Sequence, residues 1–210
     1  LGAIYAHWGG ERHVLKELDA GIVDNIDAMK YEGTYYYRKP KPRPPHNGFT
    51  SFDLISQANI KLGYNLEKPT SVYQHEEDKK DQTKSEQENF QAVELPEIYE
   101  GDFAVRWKYQ PASNTYLRWR GGKEEVDRYT SKQVEANNVV LLKTSWSPIS
   151  KDYIHVKTLG SGEAIIYKNG EEIKGAWEKR GAVDRLIFYD PLGQEIKFAV
   201  GKIWVETLIK

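Results

Sequence analysis

Residues 139–146 read VVLLKTSW, and this stretch decides the fold of the larger part of the chain. Its first four residues are all apolar, so neither face of a strand built from them offers polar side chains to water. Strands with this pattern lie in the middle of a sheet and are covered on both sides. We therefore expect residues 139–146 to form a deeply buried central strand.

Downstream of this stretch, short strand patterns alternate with turns. Residues 163–168 and 171–177 flank Asn169-Gly170, a pair that favours a type I′ turn because both residues accept a positive φ. The pattern predicts a β-hairpin at this place. Four further strands are predicted, at residues 153–158, 186–189, 195–198 and 203–208.

Upstream of the central stretch, two segments with period two predict another hairpin. The first is expected to bury Phe103, Val105, Trp107 and Tyr109. The second is expected to bury Leu117 and Trp119 and to expose Tyr116, Arg118 and Arg120. Together, seven or eight strands with short turns favour an antiparallel sandwich or barrel.

An acidic segment precedes this β-rich region. Residues 74–90 contain six acids and three lysines, with almost no apolar side chain before Phe90. Such a segment buries too little apolar area to offset its ordering entropy. We therefore predict an α/β domain at residues 1–73, an acidic linker at 74–92 and a β-rich domain at 93–210.

The first domain opens with a strand, a turn and a helix. Residues 1–8 are mostly apolar and end at Gly9-Gly10, and the helix that follows places Val14, Leu15 and Leu18 on one face. Gly21 stands where a glycine commonly ends a helix. The predicted fold class is α+β, with a partial α/β domain followed by an antiparallel β-rich domain.

A second helix is predicted after Thr50, which would cap it together with Asp53, three residues later. Gly63 would end this helix. Its buried face is expected to consist of Phe52, Ile55, Ala58 and Leu62.

Composition excludes several classes of protein. The 210 residues include no cysteine, which excludes disulfides, zinc–cysteine sites and a cysteine nucleophile. The formal net charge of −1 gives no overall attraction to nucleic acid. No phosphate-binding loop, dinucleotide fingerprint, HExxH or GxSxG pattern is present in the sequence. We therefore expect no cofactor, no metal site and no nucleic-acid partner.

A cluster of polar residues forms the candidate ligand site. His7 ends the first strand, where ligands bind in open α/β sheets. The proline-rich loop at 40–45 is flanked by or contains Arg38, Arg43, His46 and Asn47. Imidazole transfers protons near neutral pH, and guanidinium holds carboxylates or phosphates through parallel hydrogen bonds. Gathered in space, these five residues would bind a ligand.

Other interpretations of these residues remain open. His46 and Asn47 fit equally well as caps of a turn, because a proline-rich loop leaves backbone groups without partners. The segment Pro42-Arg43-Pro44-Pro45 also fits a groove-binding PxxP motif. Asp24 and Asp27 form a nearby pair of carboxylates, but spacing alone does not give the separation that acid–base chemistry requires.

An ordered series of motifs resembles a known family. The strings are IYAHWGGE, GIVDNIDAM, PPHNGFTS, KYQPASNTYLRWRGG, NVVLLKTS, GSGEAIIYKNGEEIKGAW and GKIWVETL. In this order they resemble the YerB-like family, bacterial proteins regarded as lipoproteins whose conserved domain has no known function. The matching motif residues are His7, Gly9, Gly10, Asp24, His46, Asn47 and Arg118.

The resemblance implies an α/β domain, a β-rich domain and attachment to the outer face of the bacterial cytoplasmic membrane through an upstream lipidated cysteine. It also implies an N-terminal truncation, since family members carry an export signal and early strands before the AHWGG segment. Where they often have a histidine before an aspartate, this chain reads Glu124-Glu125-Val126-Asp127.

These observations lead to an expected function. We expect an extracytoplasmic, lipid-anchored binding or interaction module for an anionic or glycan-like ligand. The alternative is a hydrolase or transferase with His7 or His46 as general acid or base. The uncharged segment LGAIYA at residues 1–6 also predicts self-association by strand pairing.

Overall fold

The computed structural model describes residues 4–64, 73–77, 95, 98–151, 153–182 and 184–210. The chain divides into two compact units, Leu1–Ser71 and Val72–Lys210. The predicted strand residues 1–3 and most of the predicted linker lie outside the described residues.

The first unit is a small α/β structure around a core of Ile26, Ala28, Tyr36 and Ala58. Its strands pair as β1 with β2 and as β3 with β4. In chain order its elements are β1 (Tyr5–His7), α1 (Arg12–Asp19), β2 (Asn25–Asp27), α2 (Ala28–Tyr31), β3 (Tyr37–Arg38), β4 (Gly48–Phe49) and α3 (Phe52–Leu62).

The helix ends follow local chemistry. The Glu11 carboxylate caps α1 by accepting from the backbone N–H of His13. The predicted glycine stop is confirmed at Gly63, which ends α3 with φ +71°. The prediction that Thr50 caps α3 is wrong, because Ser51 accepts from the N–H of Leu54 while the Thr50 hydroxyl donates to the Tyr35 carbonyl.

The predicted buried face of α3 is only partly correct. Ile55, Ala58 and Leu62 pack in the core, but Phe52 is 85% exposed. Phe52 is the first helical residue, so it lies beyond the end of the stripe that meets the core.

Strand β1 pairs in parallel with β2, with Ala6 opposite Ile26. Within the described residues this sheet has two strands, and Tyr5 and Ala6 are exposed. A free strand edge is a template for pairing. Self-association through β1 stays a prediction, and a light-scattering mass that rises with concentration would check it. A constant monomer mass would contradict it.

The second unit is β-rich. A short helical turn, Gly101–Phe103, precedes its strands, and a second, Pro111–Ser113, joins the first two. The strands are β5 (Val105–Gln110), β6 (Thr115–Arg120), β7 (Lys123–Glu124), β8 (Glu135–Ala136), β9 (Asn138–Thr144), β10 (Trp146–Pro148), β11 (Ile154–Val156), β12 (Gly160–Lys168), β13 (Glu171–Lys179), β14 (Ile187–Tyr189) and β15 (Ile203–Ile209).

The main sheet has five strands in the order β14-β13-β12-β9-β15. Its pairs are antiparallel except that of β15 with β9. Val139 and Leu141 of β9 pack on one face, and Val140 and Leu142 pack on the other. The prediction of a central, deeply buried strand is therefore confirmed for residues 139–142, whereas β9 ends at Thr144 and Trp146 is exposed in the next strand.

The hairpin prediction is confirmed as well. Asn169 and Gly170 join β12 to β13 with φ of +51° and +76°, as a type I′ turn requires.

A second sheet, formed by β5, β6, β7 and β8, covers one face of the main sheet. The shared core includes Trp107 and Tyr116 from the second sheet and Tyr167 from the main sheet. The other face, which includes Phe188 of β14, packs against Ile196 and Phe198. The described strands form a sandwich-like packing of open sheets, and no closed barrel occurs among them.

The predicted buried face of β6 is wrong. Tyr116 and Arg118 are buried, whereas Leu117 and Trp119 are half-buried. Arg118 lies directly opposite Trp107 in the sheet and therefore shares its inward face. The charged Arg118 side chain can be buried here because its Nε donates a 3.1 Å hydrogen bond to Glu206.

Part of the predicted linker is attached to the second unit. His75 bridges to Phe198, and Glu76 pairs with Lys168 and accepts a 2.9 Å bond from Asn169. Glu76 therefore takes part in a contact within the folded second unit, although the composition of residues 74–90 had indicated a linker.

The tyrosines of this core predict a loss of stability at alkaline pH. Burial raises the pKa of the Tyr116 phenol above its usual value, and burial together with a bond to Glu172 does the same for Tyr167. The folded state therefore keeps protons that the unfolded chain releases above about pH 10. Stability is fully present below that pH and falls as pH rises beyond it. Exposed tyrosines such as Tyr129 ionise first, and the remaining rise in phenolate absorbance should accompany the loss of far-UV circular dichroism. Full ionisation of a still-folded chain would contradict this.

Candidate functional site

His7 is buried at the end of β1, with both ring nitrogens engaged. Nδ1 lies 3.0 Å from the Gly9 carbonyl oxygen, and Nε2 lies 3.2 Å from Asn25 Oδ1. The Tyr5 ring stacks on the imidazole at a centroid distance of 5.0 Å. This histidine holds the β1–β2 sheet to the turn that follows it.

Asn25 has a fixed orientation in this network. Its amide nitrogen donates to the carbonyls of Leu18 and Val23, at 3.0 and 3.3 Å. Its oxygen therefore faces His7, and the end of α1 is tied to the start of β2. A single amide thus connects the helix, the strand and the buried histidine.

Arg38 and Asn47 are joined in the β3–β4 hairpin. Arg38 donates to Asn47 Oδ1 at 2.9 Å and to Glu32 at 2.7 Å, and its guanidinium lies 4.3 Å from the centre of the Trp8 ring. Asn47 also donates to the Lys39 carbonyl at 3.0 Å. These contacts support the structural interpretation of Asn47, because its amide fastens the base of the proline-rich loop.

The hairpin also packs closely on the chain that follows β1. A Cβ added at Gly48 would lie 2.4 Å from the Trp8 ring, so glycine is required for this approach. Arg43 and His46 are exposed on the loop. The structure thus brings Arg38, Asn47 and Trp8 together, while the hydrogen bonds of His7 go to Gly9 and Asn25.

A concave pocket of about 240 Å³ lies beside His7, between the end of α1, β2 and α2. Its walls combine carboxylates, one ammonium group and two tyrosines. The lining residues are Leu18, Asp19, Gly21, Val23, Asp24, Asn25, Asp27, Lys30, Tyr31 and Tyr64.

The pocket is acidic and partly pre-organised. Asp19, Asp24 and Asp27 face a single cation, Lys30, which pairs with Asp19 at 2.6 Å. This bond raises the pKa of the Lys30 ammonium, so the group stays charged at neutral pH. The Tyr64 hydroxyl donates to the Asn25 carbonyl at 2.8 Å and fixes one wall.

Asp27 connects the pocket to the predicted site. Its carboxylate caps α2 by accepting from the Met29 N–H at 2.8 Å and lies 4.0 Å from His7 Nδ1. The sequence identified Asp24 and Asp27 but not Asn25, Lys30, Tyr31 or Tyr64. Asn25, Lys30 and Tyr31 lie in or next to the GIVDNIDAM segment, and this position was the one feature of the sequence that could have identified them. No sequence feature indicated Tyr64, because it reaches the pocket from beyond α3.

Two further observations concern metal ions and membrane-spanning helices. Within the described ranges, no three histidine, aspartate or glutamate side chains converge to hold a metal ion. The helices in the same part of the chain are too short or too polar to span a lipid bilayer.

The fold first places the chain in a structural class. It is a β-rich α+β protein, and its backbone is similar to the crystal structure of YerB protein from Bacillus subtilis. The TM-score is 0.82 at 22% identity, with 99% of this chain and 68% of that chain covered.

The chain belongs to the family described as protein of unknown function (DUF3048). The N-terminal domain model of that family matches residues 1–65, and the C-terminal domain model matches residues 93–205. The resemblance noted from the sequence motifs is thereby confirmed.

A curated relative extends this assignment. "Putative lipoprotein YerB" of Bacillus subtilis (strain 168) is 25% identical over 209 residues, which is 98% of this chain and 61% of the relative. The chain therefore spans less than two thirds of that protein.

Proposed function

We propose that this chain is a non-catalytic binding module of the bacterial cell envelope, and that the pocket between α1, β2 and α2 takes a polyhydroxylated, sugar-like ligand. The observation that carries the proposal is the lining of the pocket, where carboxylates and tyrosines surround one ammonium group. Carboxylates accept hydrogen bonds from hydroxyl groups, and aromatic rings pack against the apolar face of a sugar.

The size of the pocket favours a small ligand. Its volume of about 240 Å³ is below the range of about 300–1,000 Å³ that is usual for drug-sized ligands. A single sugar ring with its hydroxyl groups fits such a space better than a long chain does.

The charge of the pocket disfavours an anionic ligand. Three carboxylates and one ammonium give a formal charge of −2 among the ionisable lining residues other than tyrosine. A neutral or amino-bearing sugar meets complementary groups there, whereas a phosphate or carboxylate is repelled. An anionic ligand would have to use the exposed Arg43 and His46 on the loop instead.

The geometry gives less support to the enzyme alternative. Both nitrogens of His7 are engaged, and its ring is buried beneath Tyr5. A general base must reach the proton that it removes. His46 is exposed but lies on the loop, away from the lining of the pocket.

We further propose that the full-length protein is held at the outer face of the cytoplasmic membrane by an upstream lipid. The lipoprotein name of the relative supports this location. Incorporation of labelled palmitate into the full-length protein would test it, and a membrane fraction free of the label and of the protein would contradict it.

Three sugars with the same ring, of which one is neutral, one carries an ammonium group and one carries a phosphate group, would test the ligand proposal. Saturation-transfer NMR should show contact with glucose and glucosamine and much weaker contact with glucose 6-phosphate. Tyr31→Ala removes an aromatic wall of the pocket and should weaken glucosamine binding about tenfold, the effect of losing roughly one good contact.

The loop provides the matched control. Arg43→Ala removes an exposed cation outside the pocket and should leave glucosamine binding unchanged. If glucose 6-phosphate were the only sugar to bind, and if Arg43→Ala abolished its binding, the ligand site would be the loop. That result would overturn the proposal that the pocket binds the ligand. Absence of saturation transfer for all three sugars would overturn the sugar-like class.

A further inference from the structure

The ribbon formed by β10 and β11 has an apolar face that the fold leaves uncovered. Trp146 is 47% exposed and Ile154 is 48% exposed. The register places Trp146 opposite Val156 and Pro148 opposite Ile154, so these four side chains share one face. Ser147 and His155 form the other face.

Hydrogen bonds attach the ribbon to the end of β9 at its base. Among the described strands, β10 and β11 pair with each other and with no third strand. Lys157 donates its N–H to the Ser145 carbonyl at 2.9 Å, and the Thr144 hydroxyl donates to the Lys157 carbonyl at 2.6 Å. The ribbon therefore projects from the end of β9.

Apolar side chains continue around the turn of the ribbon. Ile149 and Tyr153 are 54% and 50% exposed, and Leu159, after β11, is 41% exposed. An isolated two-stranded ribbon gains little stability from exposed apolar groups. The exposed apolar side chains of the ribbon and of its turn mark an interaction surface.

The charge and aromatic content of the ribbon indicate the partner. Residues 145–159 contain two lysines, Lys151 and Lys157, against one acid. Both lysines are exposed. Tryptophan and tyrosine favour the interface between lipid headgroups and acyl chains, and lysine is attracted to anionic headgroups.

The small size of the ribbon distinguishes lipid from protein partners. Each strand has three residues. A stable protein interface uses about 20–30 residues on each side, whereas a few side chains can enter a lipid interface individually. We propose that the β10–β11 ribbon docks on an anionic phospholipid surface, with Trp146 and Ile154 entering the headgroup region.

Vesicle flotation tests this proposal with the whole chain. Vesicles of phosphatidylcholine and phosphatidylglycerol at 3:1 should carry the protein, and pure phosphatidylcholine should carry less. Adding salt should weaken binding, because it screens the lysines. The double variant Trp146→Ser/Ile154→Ser should reduce partitioning by about tenfold or more, since it removes two apolar side chains from the interface.

Phe52→Ser is the matched control, because Phe52 is an exposed aromatic residue in the other unit. It should partition like the unaltered chain. Trp146 is the exposed tryptophan among the six, all of which lie in the described ranges. Brominated lipids should therefore quench fluorescence in the unaltered chain much more than in Trp146→Phe.

Three results would overturn the proposal. The first is failure of the unaltered chain to bind the anionic vesicles. The second is equal partitioning of the double variant, with its fold verified by circular dichroism. The third is concentration-dependent dimerisation that the double variant abolishes, because a second copy would then cover the ribbon.

Discussion

Arg118→Met is expected to destabilise the chain by about 3–5 kcal/mol, the usual cost of leaving one partner of a buried ion pair behind. Arg118 and Glu206 are both buried, and two guanidinium nitrogens lie 3.1 and 3.0 Å from Glu206 Oε1. The guanidinium also lies 4.8 Å from the centre of the Trp204 ring. Removing it leaves the Glu206 carboxylate in the core with only the Trp107 N–H, at 3.3 Å. Urea unfolding measures the change.

Arg120→Met provides the control for this effect. Arg120 is two residues along the same strand but exposed, with its guanidinium 5.5 Å from the Phe103 ring centre. Its replacement should change stability by less than about 1 kcal/mol. The double variant Arg118→Met/Glu206→Leu should recover part of the loss, since it removes the Arg118–Glu206 pair, whereas Glu125, the second carboxylate that pairs with Arg118, stays without its cation. Equal losses for the two methionine variants would contradict the buried-pair account.

Asn138→Ala is expected to cost about 2–4 kcal/mol, because it leaves buried backbone groups without their partner. Asn138 is fully buried at the start of β9. Its side-chain oxygen accepts from the Ala199 N–H at 2.9 Å, and its amide donates to the Ala199 carbonyl at 2.9 Å and to that of Lys202 at 3.3 Å. One side chain thus fastens the segment before β15 to the central strand.

Hydrogen exchange gives a local readout for this variant. The Ala199 amide should be protected in the unaltered chain and exchange much faster in Asn138→Ala. Gln194→Ala removes an exposed amide from the same segment and should leave both stability and exchange at Ala199 almost unchanged. Unchanged protection of Ala199 in Asn138→Ala would show that another contact holds the segment.

The strands with strong local signals were predictable. The continuous apolar run of β9 and the Asn169-Gly170 turn each carry their structure in adjacent residues, and both predictions are confirmed. The buried face of β6 was not predictable in this way. Hydropathy assigns Arg118 to solvent, and its burial becomes possible through ion pairs with Glu206, 88 residues away, and with Glu125.

The sequence indicated the approximate position of the candidate site, near His7, but not the set of residues that surrounds it. The sequence placed a polar site near His7, but the prediction joined it to the proline-rich loop because both carry ionisable groups. In the structure, Asn25 binds His7, while Arg38 and Asn47 are used within the hairpin. A pocket depends on which walls converge in space, and Tyr64 arrives from 39 residues beyond Asn25.

The most direct test of the account is amide chemical-shift mapping of the whole chain with glucosamine. Saturable shifts are expected only at the residues around the pocket, in segments 18–31 and 64, with little change at Arg43 and His46. Shifts centred on residues 38–47, or no saturable shift in segments 18–31 and 64, would contradict the central claim that this pocket binds a sugar-like ligand.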